Sequence, residues 1–366
     1  MPRSFVIPRL LVVAAVGVLV LTAGGPWASA ASPELRKIHI LTVLDTQASE
    51  LAPSLMLDER RLRDLWRQTI PADRYTLTVL KGKQATRGVF LDQIRALAVQ
   101  PDEGLVVYYG GHGATDTRTK QHFFDFSDGK PLFRQEVLRA MEAKGPALAV
   151  LLSDCCSTPK KLKELATTRA VPAPPAQSLH PTVRSLFFQS RGTVDVTAAT
   201  DNASWSDSLQ GGLFTRSLDK LLLAPVSDRD KQLTWTEFFP RLQRETRLLF
   251  DSWRKDMTAR GERIDSRNQV PHLFEHRLAV VGIENGTAGP LAYQVRWPGQ
   301  AAWAEVTLQP GEQRMHRTLL ADGDTPPRLE AKFTGVRKPQ ELTAGLWTGV
   351  GEPAEAPKLY RIRPRN

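Results

Sequence analysis

Residues 104–113, GLVVYYGGHG, and residues 147–157, ALAVLLSDCCS, decide the fold of this chain. In each stretch an unbroken apolar run ends in small and chemically reactive residues. Continuous apolar runs of this length are typical of parallel strands that helices cover on both faces. The segments before and between them carry apolar residues at helical spacing, so strands and helices alternate along the chain. We therefore predict an α/β fold with an open, mostly parallel sheet flanked by helices.

The flanking sequence extends this alternation. Further strands are predicted over residues 37–44, 75–80 and 193–197, and helices over residues 58–70, 86–99, 133–143, 214–223 and 235–250. The stretch 159–190 is rich in Pro and Ala and is predicted to be an exposed loop. From residue 284 the apolar residues follow period two, with Gly and Pro between the segments. This pattern predicts a small C-terminal β-sandwich-like domain over residues 284–366.

The N-terminus has the layout of a secretory signal peptide over residues 1–30. Basic residues precede an apolar run over residues 10–25, and Ala28-Ser29-Ala30 supplies a site of small residues for signal peptidase. The run is short for a membrane-spanning helix, so we expect cleavage after Ala30 and no stable membrane span afterwards. A secreted or periplasmic protein is predicted, and an uncleaved N-terminal membrane anchor is the alternative.

The composition excludes several classes of protein. The chain has 366 residues and a formal charge of +10, from 49 Lys and Arg against 39 Asp and Glu. The basic residues are scattered along the chain, so a nucleic-acid partner is not predicted. Two adjacent cysteines cannot form a disulfide framework, and no spacing of Cys or His suits zinc. We expect no metal and no cofactor.

Reactive side chains follow two of the predicted buried strands. His112 follows the run 105–109, and Cys155 and Cys156 follow the run 147–152. Open α/β sheets bind ligands at the carboxyl ends of their strands, so neighbouring strands would bring His112 to one of the cysteines. An imidazole can take the thiol proton, and the thiolate can attack a carbonyl carbon. The alternative interpretation is a hydrogen-bonded loop histidine and a small buried cysteine.

Residues 35–283 resemble the caspase-like cysteine peptidases (peptidase C14), the group that contains caspases, metacaspases and paracaspases. The resemblance rests on five segments in order: VVYYGGHG at 106–113, LLSDCCST at 151–158, GTVDVTAA at 192–199, GGLFT at 211–215 and QVP at 269–271. It implies the caspase-like fold, with the 159–190 loop at the junction of the large and small subunits. It also implies a cysteine endopeptidase that uses a Cys–His dyad on protein or peptide substrates.

The resemblance implies roles for individual residues. Alignment of the segment around Cys156 with the Asp-Ser-Cys of metacaspases makes Cys156 the nucleophile, with Cys155 as the alternative. His112 is the implied general base. The backbone N–H groups of Gly113 and Cys156 are the implied oxyanion hole.

Substrate specificity is predicted from charge. A pocket for Arg or Lys needs a buried carboxylate, and metacaspases have carboxylates at the positions of Asp154 and Asp201. Cleavage after Arg or Lys is therefore expected. The loop after Cys156 is basic rather than acidic, so a calcium requirement is not predicted. The same loop contains the candidate self-cleavage sites Lys160, Lys161, Lys163 and Arg169.

Other functions are compatible with the same segments. A non-catalytic caspase-like module for binding or scaffolding is the main alternative, although such modules usually lack the cysteine or the histidine. A related enzyme with the same dyad, similar to legumains or gingipains, is a further alternative. The sequence does not assign an oligomeric state.

Overall fold

A computed structural model describes residues 34–116, 118–119, 121–156, 174–199, 203–224, 233–300, 302–321, 323–351 and 358–363. These residues divide into two units. The N-terminal unit contains residues 34–277 and 348–351, and the C-terminal unit contains residues 278–347 and 358–363. The predicted signal peptide lies outside the described residues. Among the helices that are described, none has the length and apolar character needed to cross a membrane.

The strands of the N-terminal unit are β1 Ile38–Leu44, β2 Tyr75–Lys81, β3 Gly104–Thr115, β4 His122–Asp125, β5 Leu132–Phe133, β6 Leu148–Cys156, β7 Gly192–Thr197, β8 Ser206–Asp207, β9 Gly211–Gly212 and β10 His272–Leu273. Its α-helices are α1 Ala52–Thr69, α2 Arg87–Ala96, α3 Arg134–Glu142, α4 Pro181–Val183, α5 Leu213–Leu222 and α6 Trp235–Ala259. Short 3-10 turns cover Ala72–Arg74 and Gly82–Gln84, and a π-helical turn covers Arg184–Gln189.

The central sheet has the strand order β2-β1-β3-β6-β7-β10, with β4 paired to β3 and β5 paired to β4. Strands β1, β2, β3, β6 and β7 are mutually parallel, and β10 is antiparallel to β7. The prediction of an open, mostly parallel sheet flanked by helices is confirmed. Strands β1, β3, β6 and β7 therefore present their carboxyl ends at one edge of the sheet.

Helix α1 brings a carboxylate into the interior. Leu55, Leu62, Leu65 and Trp66 are all buried on its inner side, and burying such a side chain stabilises the fold by about 1.5–3 kcal/mol. The helix begins at Ala52 rather than at residue 58 because a proline in its first turn presets the backbone for a helix. Asp58 consequently lies within the helix, on the side that faces the core.

The structure differs from the predicted exposed loop over 159–190 in its last part. Residues 157–173 lie outside the described residues, but residues 181–189 form α4 and the π-helical turn. Phe187 is fully buried, and its ring packs edge to face against Trp66 at 5.4 Å and Trp235 at 5.3 Å. These aromatic residues return the chain to the core because burying them removes a large apolar area from water.

The strands of the C-terminal unit are β11 His276–Asn285, β12 Leu291–Arg296, β13 Ala304–Leu308, β14 Gln313–Leu319, β15 Arg328–Phe333, β16 Gln340–Thr343, β17 Gly345–Gly349 and β18 Leu359–Ile362. One four-stranded sheet has the order β14-β11-β17 with β18 also paired to β11, and the other has the order β13-β12-β15-β16. Side chains from both sheets share one apolar core, as in a β-sandwich. The predicted β-rich C-terminal region is confirmed, and the predicted boundary between residues 283 and 284 falls inside β11.

Candidate active site

His112 and Cys156 lie opposite each other at the carboxyl ends of β3 and β6. The parallel register runs from Gly104 opposite Leu148 to His112 opposite Cys156. Strand β3 extends past the predicted end of its apolar run because β4 pairs with it, His112 lying opposite Asp125. The structure describes the backbone of Cys156, and its side chain lies outside the described part. The backbones of the two residues named from the sequence are therefore neighbours, as the strand-end argument expected.

The ring of His112 has a carboxylate partner that the sequence analysis missed. Nε2 of His112 lies 2.9 Å from Oε1 of Glu50, and both side chains are partly exposed. Glu50 lies in the loop between β1 and α1, which begins at the same sheet edge. Two contacts hold the pKa of Glu50 below its ordinary value, namely its own backbone N–H and the hydrogen bond with His112. The signal available in the sequence was that an acidic residue follows a third buried strand.

Cys155 has a different environment from the one a nucleophile needs. Its side chain is buried, and its Sγ lies 3.7 Å from Nε2 of His122. Burial raises the pKa of the Cys155 thiol to about 11. Burial, followed by the charge of Arg134, lowers the pKa of His122 to about 3. Both shifts favour the neutral forms of these groups at pH 7, so a thiolate is disfavoured at Cys155.

Gly113 follows His112 on β3 and is the sequence-predicted oxyanion donor. A Cβ atom at this position would lie 2.9 Å from the Sγ of Cys155. The Cys155 side chain thus packs directly beneath Gly113, which leaves no room for a larger residue there. The assignment of the Gly113 and Cys156 N–H groups to an oxyanion hole stays a prediction.

Asp154 is the carboxylate next to the cysteines, and it is held by three hydrogen bonds. Oδ1 accepts from the hydroxyl of Ser204 at 2.6 Å. Oδ2 accepts from the hydroxyl of Thr215 at 2.7 Å and from its backbone N–H at 3.2 Å. Burial raises the pKa of Asp154, even though these bonds favour its ionised form. Asp154 is thus fixed in position without a cation among these bonds.

Asp58 is a second buried carboxylate at the same place. Both of its oxygens lie 3.0 Å from the backbone nitrogen of Gly212. Burial, followed by the negative charge of Asp154, raises the pKa of Asp58 to about 8, although Arg61 lies 3.3 Å away. The sequence analysis missed Asp58. Its signal was an acidic residue at helical spacing between the apolar residues Leu55 and Leu62.

The Gly-Gly pair of β9 allows both carboxylates to approach the backbone. Gly211 has a φ of +86°, which side-chain-bearing residues rarely adopt. A Cβ atom on Gly211 would collide with Oδ1 of Asp58, and one on Gly212 would collide with Oδ2 of Asp154. The GGLFT segment noted in the sequence is therefore explained by the carboxylates packed against it.

A cavity lies between these groups. It is open to solvent and offers water-sized groups about 20 Å³, and its lining includes Leu51, Asp58, Gly111, Asp154, Ser204 and Trp205. Two acidic side chains thus contribute to one small cavity that begins beside the His112 strand. A guanidinium or ammonium group that entered this cavity would lie near both carboxylates. Asp201, the second carboxylate predicted from the sequence, lies outside the described residues.

Two other predictions about the site concern self-cleavage and metal binding. The candidate self-cleavage sites Lys160, Lys161, Lys163 and Arg169 lie outside the described residues. Within the part of the chain that is described, no group of three or more His, Cys, Asp or Glu side chains could hold a metal ion. The absence of a metal from the whole protein stays a prediction.

Comparison with known families assigns the N-terminal unit to a protein family. The model of the caspase domain, Peptidase C14, matches residues 62–280, which is more than half of the chain. The chain belongs to the caspase domain family. This confirms the resemblance that the five sequence segments indicated. The family match includes His112 and Cys156, and it begins after both Glu50 and Asp58.

Several solved structures are similar to this caspase-domain protein. Caspase-1 from Spodoptera frugiperda is 11% identical with a TM-score of 0.43, over 69% of this chain and 93% of that one. The Drosophila initiator caspase Dronc is 11% identical with a TM-score of 0.36, over 71% and 94%. A protein from Geobacter sulfurreducens is 18% identical with a TM-score of 0.36, over 65% and 92%. No curated protein sequence matches the chain significantly.

Proposed function

We propose that this caspase-domain protein is a cysteine endopeptidase that cleaves protein or peptide substrates after Arg or Lys. The observation that supports it most is the register of His112 with Cys156, beside a cavity lined by Asp58 and Asp154. The first feature provides the pair of groups needed for covalent catalysis, and the second provides a binding site for a cationic side chain.

The proposed reaction uses a Cys–His dyad. The imidazole of His112 takes the proton of the Cys156 thiol, and the thiolate attacks the carbonyl carbon of the scissile bond. The N–H groups of Gly113 and Cys156 stabilise the oxyanion that forms. The imidazolium then donates its proton to the leaving amine, which gives an acyl-enzyme. A water molecule, deprotonated by His112, hydrolyses the thioester and restores the free thiol.

The preference for Arg or Lys rests on the two buried carboxylates. In the free protein the burial of Asp58 beside Asp154 disfavours two negative charges, so Asp58 keeps its proton at neutral pH. A cationic side chain in the cavity removes this penalty by neutralising the charge. An acidic side chain would add a second negative charge beside Asp154 in the same small volume. A basic residue before the scissile bond is therefore favoured over an acidic one.

Covalent labelling tests this proposal. The purified protein would be incubated with acyloxymethyl ketones that carry Arg, Asp or norleucine, and the adduct would be located by mass spectrometry. We expect an adduct on Cys156 from the Arg probe only. The variants Cys156→Ala and His112→Gln should lose it. Cys155→Ala and His122→Gln are the matched controls, and they should retain it.

The outcomes separate the alternatives. Labelling of Cys156 by the Asp probe alone would keep the peptidase and discard the basic pocket. Labelling of Cys155 would reverse the choice of nucleophile. A folded protein that none of the probes labels, with or without calcium, would favour a non-catalytic caspase-like module for binding.

The proposal includes export. The N-terminal layout supports removal of residues 1–30 as a signal peptide, which would leave the protein secreted or periplasmic. N-terminal sequencing of the exported protein should begin at Ala31. A membrane-bound product that retains the first residues would instead show an N-terminal anchor.

Self-cleavage in the basic loop is a further part of the proposal. An enzyme that prefers Arg or Lys would be expected to cut at Lys160, Lys161, Lys163 or Arg169. Fragments with new ends in this loop should accumulate in the active protein and not in Cys156→Ala. A wild-type chain that labels with the Arg probe but stays intact would contradict self-cleavage alone.

A further inference from the structure

The loop between β1 and α1 brings Glu50 to the ring of His112. Asp45, directly after β1, has a backbone N–H that donates to the carbonyl of Gly110 at 3.0 Å. Its carboxylate accepts from the backbone N–H of Ser127 at 2.7 Å and from the Ser127 hydroxyl at 2.8 Å. The loop is thus tied to β3 and to the segment after β4. Glu50 is held in place by these anchors rather than by its own side chain alone.

The donor and the acceptor of the hydrogen bond between His112 and Glu50 can be assigned. An ionised carboxylate can only accept hydrogen bonds, so the Nε2 of His112, 2.9 Å from Oε1 of Glu50, must be the donor. In a neutral imidazole this leaves Nδ1 without a proton. Glu50 is ionised at neutral pH, because its own backbone N–H and the His112 bond lower its pKa. Nδ1 is then the basic nitrogen of the ring.

We propose that Glu50 is a positioning residue that completes a Cys156–His112–Glu50 arrangement, fixing the tautomer of His112 and stabilising its imidazolium. This inference rests on the proposed peptidase function. The proton of the Cys156 thiol moves to Nδ1 of His112, and the proton on Nε2 stays on the ring, shared with Glu50. No proton passes to the carboxylate, which contributes its charge and its fixed direction.

Other titratable groups surround His112 without taking this role. Asp125 of β4 lies opposite His112 in the antiparallel register. The hydroxyl of Tyr109 donates to the backbone carbonyl of His112 at 2.8 Å, and burial raises the pKa of that hydroxyl. Cys156 is the residue opposite on β6. Glu50 differs from these groups because its carboxylate contacts the ring itself.

Kinetics of the full-length protein test the proposal. Glu50→Gln keeps the size of the side chain and removes its charge. We expect kcat for an Arg substrate to fall by about 100-fold while KM changes little, because the group acts on the base rather than on the substrate. The acid limb of the kcat/KM profile, where the base becomes protonated, should move to lower pH, because the imidazolium loses its stabilising charge. Glu262→Gln, the same change at an exposed residue after α6, is the control and should retain the wild-type rate and profile.

Three kinetic outcomes would overturn the inference. An unchanged rate and pH profile in Glu50→Gln would mean that the contact does not orient the base. A faster variant would mean that Glu50 restrains His112 rather than supporting it. A loss of rate with an unmoved acid limb would show a purely structural role.

A second measurement is independent of activity. The ¹⁵N NMR signals of the His112 ring, assigned by comparison with His112→Gln, report its tautomer at alkaline pH, where the ring is neutral. We expect the Nε2–H tautomer in the wild-type protein and a mixture in Glu50→Gln. A predominant Nδ1–H tautomer in the wild-type protein would overturn the inference. If the labelling probes fail but the Nε2–H tautomer is present, the proposed function fails and the role of Glu50 in holding His112 stands.

Discussion

Two regions near the carboxyl end of β6 differ in how far the charge of a buried carboxylate is compensated by its neighbours. On the cavity side, Asp58 and Asp154 are close together, and burial raises the pKa of both. On the other side, which we term the Arg134 side, Asp195 of β7 is buried between Arg134 and His276. Burial alone would raise the pKa of Asp195, but Arg134 and His276 hold it below its ordinary value. A compensated charge maintains the fold, whereas the undercompensated pair supports the proposed binding of a cationic side chain.

The two histidines next to the cysteines differ in the same way. His112 is partly exposed and contacts a carboxylate, so a positive charge on its ring would be stabilised. His122 lies beside a buried thiol and near Arg134, and its pKa falls to about 3. A histidine that cannot become charged cannot store the thiol proton. Exposure and charge therefore distinguish the two Cys–His neighbourhoods more clearly than the identity of the residues does.

The largest expected effect comes from removing the compensating charge on the Arg134 side. Arg134 donates to Asp195 at 2.7 Å, to the hydroxyl of Ser153 at 2.8 Å and to the carbonyl of Val196 at 3.0 Å. Arg134→Met should lower the free energy of unfolding by about 3–5 kcal/mol, because it leaves Asp195 buried without its main partner. Urea unfolding followed by tryptophan fluorescence measures this loss.

The matched control for that change is an exposed ion pair. Arg95, whose side chain is 65% exposed, pairs with Asp92, whose side chain is 75% exposed, and Arg95→Met should change the stability by less than about 1 kcal/mol. The double variant with Arg134→Met and Asp195→Asn should recover part of the loss. Equal losses for the two arginines would contradict the distinction between the regions.

The next effect concerns the cavity side. Asp154→Asn should lower kcat/KM for an Arg substrate by about 100-fold, because one of the two carboxylates that would bind the cation is removed. The fold should persist, since the amide oxygen can accept both hydrogen bonds from Thr215 while the amide nitrogen donates to the hydroxyl oxygen of Ser204. The exposed Asp92 provides a control, and Asp92→Asn should retain the wild-type value. A similar loss for a norleucine substrate would show that Asp154 supports the site without recognising charge.

Ligand binding should be linked to a proton on Asp58. In the free protein Asp58 is protonated below its pKa of about 8, and a cation in the cavity favours its ionised form. Binding of agmatine, a simple guanidine, should therefore release close to one proton at pH 7. Its affinity should increase by up to about tenfold for each unit by which the pH rises towards pH 8. Calorimetry in buffers of different ionisation enthalpy measures the release. Asp58→Asn should abolish it, and binding without proton release in the wild-type protein would contradict the raised pKa.

The two regions should also respond to pH with opposite sign. The raised pKa of Asp58 gives stability that is present below the unfolded pKa of about 4 and is lost as the pH rises towards about 8. The lowered pKa of Asp195 gives stability that is present above about pH 4 and is lost as the pH falls further. Asp58→Asn should flatten the fall in stability between about pH 4 and pH 8, and Asp195→Asn the fall below about pH 4. If both variants changed the pH dependence of stability over the same pH range, the difference between the two regions would be contradicted.

The smallest effect is the low reactivity of the Cys155 thiol. Because burial raises the pKa of its thiol to about 11, iodoacetamide should leave Cys155 unmodified in the folded protein at pH 8 and modify it after denaturation. Peptide mapping of both states measures this difference. Cys155→Ala should leave the labelling of Cys156 by the Arg probe in place. Rapid modification of Cys155 in the folded protein would show that its thiol is reactive and would contradict its raised pKa.

Much of the fold could be predicted from local patterns. The buried strands were recognisable because continuous apolar runs have few alternatives in a globular domain, and the period-two segments indicated the C-terminal sheets. The buried helical turn over residues 184–189 was not predicted. Its neighbours are rich in Pro and Ala, and only packing against Trp66 and Trp235 shows that its aromatic residues are interior.

The sequence by itself determined the alternation of strands and helices, the order of His112 and the cysteines, and the family. These depend on short segments and on the rule that parallel strands present their carboxyl ends together. Only the tertiary structure decided that Glu50 contacts His112 and that Asp58 joins Asp154, because each pair is distant along the chain. It also decided that Cys155 is buried beside His122. Burial and charge compensation arise from neighbours across the fold, and the chemistry of an ionisable group depends on them.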